Sequence, residues 1–96
     1  MKENERKISL ECIEQKASDK LLNLTGRKLE VFKTDLGICV HYKSCEVLKG
    51  PVLCGEYGIG ETFEMACDDY LNKIAGQTLV FDSYTEYRKE VRVVVL

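Results

Sequence analysis

Five cysteines and a single histidine are the residues of this 96-residue sequence with the greatest capacity for chemistry. No apolar run of the kind found in secretion signals follows Met1, so we expect a reducing compartment, in which disulfide bonds rarely persist. A reduced cysteine serves either as a small buried hydrophobic residue or as a metal ligand. The five residues to be assigned to one of these roles are Cys12, Cys39, Cys45, Cys54 and Cys67.

Three of the cysteines and the histidine lie within sixteen residues, as Cys39, His41, Cys45 and Cys54. A structural zinc ion takes about four thiolate or imidazole ligands. If residues 38–42 and 52–57 pair as a hairpin, Cys39, His41 and Cys54 share the face opposite the apolar side chains, because side chains alternate along a strand. The pattern therefore predicts a candidate zinc site that would staple the hairpin.

The spacing of Cys39 and Cys45 argues in the other direction. On one straight strand these residues would stand about 20 Å apart, at about 3.3 Å per residue. A single ion could bind both only if the chain bends near residues 43–44. The alternative interpretation, which stays open, is that the thiols are ordinary reduced cysteines on a sheet whose second face is covered.

The remaining cysteines have weaker claims to a chemical role. Cys67 lies within an apolar helical pattern between Ala66 and Tyr70, which predicts core packing. Cys12 lies beside the apolar face of the first predicted helix and could join a metal site only by chance of folding. One histidine gives no basis for a nucleophilic cysteine–histidine pair, so we expect no enzyme activity.

An acidic segment follows the cysteine cluster, and no lysine or arginine occurs between Lys49 and Lys73. Three of its carboxylates recur at helical steps of three and four residues. The pattern predicts either a solvated helix face or an acidic docking surface for a basic groove. Tyr84 and Tyr87 are candidate aromatic anchors in addition to Tyr57. The candidate partner-binding residues are Glu56, Tyr57, Glu61, Glu64, Asp68 and Asp69.

Secondary-structure signals place these residues in the order α-β-β-β-α-β-β. Apolar residues at steps of three and four predict a first helix from a cap at Ser9 to a stop at Gly26. A second helix follows a cap at Thr62. Alternating and turn-bounded segments predict an antiparallel sheet of about five strands. We therefore expect residues 1–7 to be a flexible N-terminus and residues 8–96 a single α+β domain, with strands over 27–34, 38–42, 52–57, 77–83 and 90–96.

The composition limits the function classes. Hydrophobic residues make up 45% and charged residues 31%, which is a globular balance. Sixteen acidic residues against fourteen basic ones disfavour direct nucleic-acid binding. The longest apolar run, residues 93–96, is far too short to cross a membrane. We expect a cytoplasmic protein.

The element order, with the turn Gly58-Ile59-Gly60-x-Thr62 before the last helix, resembles the double-stranded-RNA-binding fold. That family holds phosphates with lysines at the start of this helix, where this chain has residues 61–64 without a basic residue. The resemblance therefore implies the fold without RNA binding. The three strands and the helix also resemble the antitoxin half of toxin–antitoxin pairs. The alternative function is therefore an antitoxin-like or purely structural homodimer that pairs through a sheet edge, expected at residues 90–96.

A second resemblance covers about a quarter of the chain. Gly58-x-Gly60-x-Thr62, Glu64-x-Ala66-Cys67, Tyr70-Leu71 and Gly76-x-Thr78-Leu79-Val80 are similar to small phage and mobile-element proteins of the anti-CRISPR kind. This resemblance implies a non-enzymatic inhibitor that acts in a bacterial host cell on a type II CRISPR nuclease or another defence protein with a basic groove. Some inhibitors of this kind are metalloproteins, which would accommodate the zinc hypothesis.

Overall fold

The computed structural model of the chain describes residues 4–11 and 13–96. Within this part, two helices and eight strands make up an α+β fold, which confirms the predicted class. The elements are β1 (Asn4–Ile8), α1 (Ala17–Thr25), β2 (Leu29–Thr34), β3 (Gly37–Tyr42), β4 (Cys45–Lys49), β5 (Val52–Cys54), β6 (Gly58–Gly60), α2 (Phe63–Ile74), β7 (Thr78–Phe81) and β8 (Lys89–Val95).

The strands form two sheets, where the sequence predicted one. The first sheet has the order β1-β8-β7-β4-β5 and the second has the order β2-β3-β6. The chain passes from the second sheet to the first at residues 43–44, where Ser44 adopts a left-handed φ of 55°. Beyond this turn β4 belongs to a different sheet from β3, so the two strands do not pair. Five strands, where the sequence predicted three, lie between the two helices.

Strand β1 occupies much of the segment that we expected to be flexible. Asn4–Ile8 pairs in parallel with β8, from Asn4 opposite Val91 to Ile8 opposite Val95. Only Ile8 is buried, so backbone hydrogen bonds hold a strand whose other side chains face solvent. Because β1 covers β8 on one side and β7 covers it on the other, β8 is not the exposed sheet edge that the sequence predicted.

Helix α1 is shorter than the apolar repeat suggested. The expected start at Ser9 is replaced by Ala17, and Ile13 is 84% exposed, so the first part of the repeat does not form a helix face. The predicted end is confirmed, since Gly26 has a φ of 70° and its N–H donates to the carbonyl oxygen of Leu22 at 2.8 Å.

Helix α2 matches its prediction closely. The hydroxyl of Thr62 accepts a hydrogen bond from the Met65 N–H at 3.2 Å, which caps the helix as expected. The apolar stripe faces the core, except that Phe63 at its start is 38% exposed. In the described part of the chain, no helix is both long enough and apolar enough to cross a membrane. The buried residues of α2 are Ala66, Cys67, Tyr70, Leu71 and Ile74.

Two glycines let β6 lie directly on α2. A Cβ added at Gly58 would stand 2.5 Å from the Cβ of Tyr70 and closer still to the carbonyl oxygen of Ala66. A Cβ added at Gly60 would stand 2.6 Å from the Ala66 nitrogen. Neither glycine has a positive φ, so the close approach of β6 to α2, and not an unusual backbone conformation, requires them.

The core joins the two sheets through aromatic side chains. Tyr42 of β3 contacts Tyr70 of α2 and Phe81 of β7, with ring centroids 5.6 and 5.7 Å apart. The Tyr42 hydroxyl donates to the carbonyl oxygen of Leu21, and the Tyr70 hydroxyl accepts from the Tyr42 N–H at 3.2 Å. Burial raises the pKa of both phenols above their ordinary value, so both stay neutral donors and acceptors.

Candidate functional site

The predicted zinc ligands lie on two different sheets. Cys39 is on β3 in the three-stranded sheet and is 1% exposed, whereas Cys54 is on β5 in the five-stranded sheet. The hairpin that we expected between residues 38–42 and 52–57 does not form, because β3 pairs with β2 and β6 while β5 pairs with β4. The alternation argument that placed Cys39 and Cys54 on one face therefore does not apply.

The other two predicted ligands, His41 and Cys45, line one depression of about 380 Å³. The Nδ1–H of His41 donates to the carbonyl oxygen of Tyr42 at 2.8 Å, and its Nε2 lies 3.9 Å from Glu30 Oε1. Across residues 4–11 and 13–96, no three His, Cys, Asp or Glu side chains are grouped so that they could hold a metal ion. Cys12 lies outside the described residues. The zinc hypothesis is therefore supported only by the spacing of these residues in the sequence. Metal analysis of protein purified without a chelator would test it.

Two of the thiols are held in their protonated form. Burial raises the pKa of Cys45 to about 12, although the nearby Tyr70 hydroxyl acts in the opposite direction. Burial also raises the pKa of Cys67 to about 12, with a smaller contribution from the Glu64 charge. Because the thiolate is the reactive species, both side chains are poor nucleophiles at neutral pH.

Three of the predicted acidic residues, Glu64, Asp68 and Asp69, line one groove on the surface of α2. The groove has a volume of about 580 Å³, and Met65, one of its lining residues, is 53% exposed. The start of α1 forms its other wall. We call this feature the α2 groove, and its lining residues are Lys16, Ala17, Glu64, Met65, Asp68, Asp69 and Asn72.

Two of these carboxylates are held in place by neighbouring elements. Glu64 accepts hydrogen bonds from the Ser18 N–H, at 3.3 Å, and from the Ser18 hydroxyl. Asp69 accepts from the Ile59 N–H at 2.9 Å and pairs with the Lys73 ammonium at 2.9 Å. Partial burial alone would raise the pKa of Asp69, but the Ile59 amide and Lys73 outweigh it and lower the pKa below its ordinary value.

The other predicted partner-binding residues lie outside the α2 groove. Glu56 pairs with Lys49 at 3.0 Å, and Glu61 is exposed immediately before α2. Tyr57 is 45% exposed beneath the ammonium of Lys73, which lies 5.6 Å from its ring centroid. Lys49 and Lys73, which flank the lysine-free segment in the sequence, therefore contact residues of that segment in the folded protein.

A small aromatic cluster that the residue pattern did not predict lies on the outer face of the three-stranded sheet. The Phe32 ring lies 5.9 Å from the His41 ring and 6.1 Å from the Tyr57 ring. Phe32 stands directly opposite the buried Cys39 in the β2–β3 register. The sequence predicted strands over 27–34 and 38–42, but it did not predict which residues of these two strands stand opposite each other. We call Phe32, His41 and Tyr57 the outer aromatic cluster.

Comparison of the chain with protein-family models, with curated proteins and with solved structures finds no match.

Proposed function

We propose that this protein is a non-enzymatic binding module that attaches to a basic surface of a protein partner through the α2 groove. The observation that supports this most directly is Met65, which is 53% exposed in a groove that it shares with the carboxylates of Glu64, Asp68 and Asp69. A flexible apolar side chain in a groove with more acidic than basic residues suits a partner segment that combines an apolar residue with lysine or arginine.

The internal hydrogen bonds of the groove favour binding. Ser18 fixes Glu64, and the Ile59 amide fixes Asp69, so these carboxylates lose little conformational freedom when a partner arrives. Three carboxylates against one lysine line the groove, which gives it a negative field that attracts a basic surface.

The partner class that we propose is a defence nuclease with a basic nucleic-acid-binding groove, and in particular a type II CRISPR nuclease. A small acidic protein seated in such a groove would compete with the phosphates that the groove normally holds. Inhibition would then follow from exclusion of nucleic acid, without any bond being broken. The resemblance to anti-CRISPR proteins supplies this partner class, and the acidic groove is compatible with it.

The test is binding to a panel of purified type II CRISPR nucleases without guide RNA, measured by biolayer interferometry, together with inhibition of DNA cleavage. We expect Asp68→Lys and Met65→Ala each to weaken binding by at least about tenfold, which corresponds to about 1.4 kcal/mol. Binding should also weaken as salt is raised from about 0.05 to 0.3 M, because exposed charges are screened.

The matched controls are Glu86→Lys, which makes the same type of charge reversal in the loop between β7 and β8, and Val52→Ala on β5. Both should leave binding unchanged, and the thermal midpoint of every variant should stay close to that of the wild type. If no nuclease binds, the partner class is wrong. If a nuclease binds and Asp68→Lys behaves like Glu86→Lys, the α2 groove is not the binding surface.

A further inference from the structure

Strand β2 is an open edge of the three-stranded sheet. Every residue from Glu30 to Thr34 is exposed, and in the described part of the chain β2 pairs only with β3. The carbonyl oxygen of Lys28 accepts a hydrogen bond from the Lys43 N–H at 3.0 Å. Because the direction of the backbone groups alternates along a strand, residues 28, 30, 32 and 34 direct theirs toward β3. The N–H and C=O groups of Leu29, Val31 and Lys33 therefore point away from the sheet.

The open edge continues into the outer aromatic cluster. Val31 is 53% exposed and Phe32 is 42% exposed, and these two apolar residues lie between the charged residues Glu30 and Lys33 of the same strand. Helix α2 packs on β6 and β3, so β2 extends beyond the helix layer. The edge thus offers unpaired backbone groups and an apolar surface at the same place.

Symmetry restricts how a second copy could pair with this edge. Two antiparallel copies of β2 are related by a two-fold axis perpendicular to the sheet, so the outer faces of both copies lie on the same side of the joined sheet. The axis passes midway between the two copies of one residue, which then stands opposite itself; we name each possible axis by that residue. An axis through Glu30 or Lys33 would place like charges directly opposite each other. An axis through Val31 would set each Glu30 against the Phe32 ring of the other copy.

An axis through Phe32 avoids these conflicts. It places the two Phe32 side chains directly opposite each other, in a pair without hydrogen bonds, where cross-strand side chains approach most closely. It also places each Glu30 opposite the uncharged Thr34 of the other copy, so no like charges stand opposite each other. The outer aromatic clusters of the two copies would then join around the axis.

We propose that the protein forms a symmetric homodimer by antiparallel pairing of β2 with β2 of a second copy, centred on Phe32. The pairing makes one six-stranded sheet of order β6-β3-β2-β2-β3-β6. The dimer surface shares no residue with the α2 groove, so each dimer carries two free grooves. Because few residues pair on each side, we expect a dissociation constant above about 1 μM.

The test is sedimentation velocity from about 1 μM to about 1 mM, with two complementary variants. Phe32→Lys and Phe32→Glu should each be monomeric, because like charges meet at the axis, and their equimolar mixture should dimerise, because opposite charges then meet. The matched controls are Val52→Lys and Val52→Glu, since Val52 is 55% exposed on β5, an edge strand of the other sheet. These controls should dimerise like the wild type.

Amide hydrogen exchange of the wild type supplies a readout that needs no substitution, in case the Phe32 variants do not fold. The amides of Val31 and Lys33 should exchange more slowly as the protein concentration rises, while the amide of Val52 should not change. A wild type that is monomeric at 1 mM overturns the proposal. A dimer that both Phe32 variants leave intact, or an equimolar mixture that stays monomeric, also overturns it.

Discussion

At Gly58, the absence of a side chain lets the backbone of β6 lie against α2. We expect Gly58→Ala to lower the free energy of unfolding by about 3 kcal/mol or more, because the new methyl group overlaps backbone atoms that cannot move independently. The measurement is urea denaturation followed by circular dichroism. Gly55→Ala is the control, since its Cβ would meet no atom within 4 Å and its φ is not positive; that change should stay within about 0.5 kcal/mol. Equal effects of both substitutions would contradict this account of β6.

The carboxylate of Asp69 makes a stability contribution that depends on pH. Its pKa in the folded protein lies below the ordinary 3.8, so folding favours the ionised form. The contribution is fully present above about pH 4 and is lost as the pH falls through the folded pKa. We expect Asp69→Asn to cost about 1 kcal/mol at pH 7, a modest value because the side chain is 36% exposed, and progressively less as the pH falls below about 4.

Urea denaturation of the wild type and Asp69→Asn at several pH values measures this difference. Glu86→Gln, in the exposed loop before β8, is the control and should show no comparable change with pH. A difference between Asp69→Asn and the wild type that stays constant from pH 7 to pH 2 would show that the Asp69 carboxylate does not favour the folded state.

Strand β1 shows how an element can be held by its backbone and one side chain. Ile8 is 4% exposed and is the only buried residue of β1. We expect Ile8→Ala to cost about 2–4 kcal/mol, because it leaves a cavity against the core. Lys7→Ala, in the same strand and exposed, should cost less than about 0.5 kcal/mol. Thermal and urea unfolding of both variants would test this, and equal effects of the two substitutions would contradict the burial of Ile8 in the core.

The elements that sequence reasoning predicted well are those whose own residues specify them. Helix α2 has an apolar stripe and a Thr62 cap, and β2 and β3 lie close to the strands predicted over 27–34 and 38–42, so local patterns were sufficient for these elements. Strand β1 could not be predicted, since its charged residues pair through the backbone with a strand far away in the sequence. The passage between sheets at Ser44 was equally hidden, because a serine gives no signal for a left-handed conformation.

The same distinction applies to the candidate site. The helical period predicted that Glu61, Glu64 and Asp68 share one face; Glu64 and Asp68 do line the α2 groove, whereas Glu61 precedes α2 and lies outside the groove. The role of Ser18 depends on the packing of α1 against α2, and Lys73 reaches Tyr57 only because β6 lies on α2. Contacts of this kind depend on tertiary structure and have no counterpart in residue spacing.

For the whole molecule, the two proposed surfaces use different layers of the fold. The α2 groove lies in the helix layer, and the β2 edge lies in the three-stranded sheet on which α2 packs. A dimer through β2 would therefore present two acidic grooves to a partner, and a partner with two basic surfaces would bind more tightly than the affinity of one groove predicts.

The parallel pairing of β1 with β8 also has a consequence for how the chain folds. Asn4 pairs with Val91, 87 positions later, whereas the β2–β3 hairpin and the contact of β6 with α2 join residues close in sequence. Closing such a long loop carries a large entropy cost before any contact offsets it, so β1 should join the sheet late in folding. The same strand should be the first to detach from the folded protein, so a protease should cleave the chain first near β1.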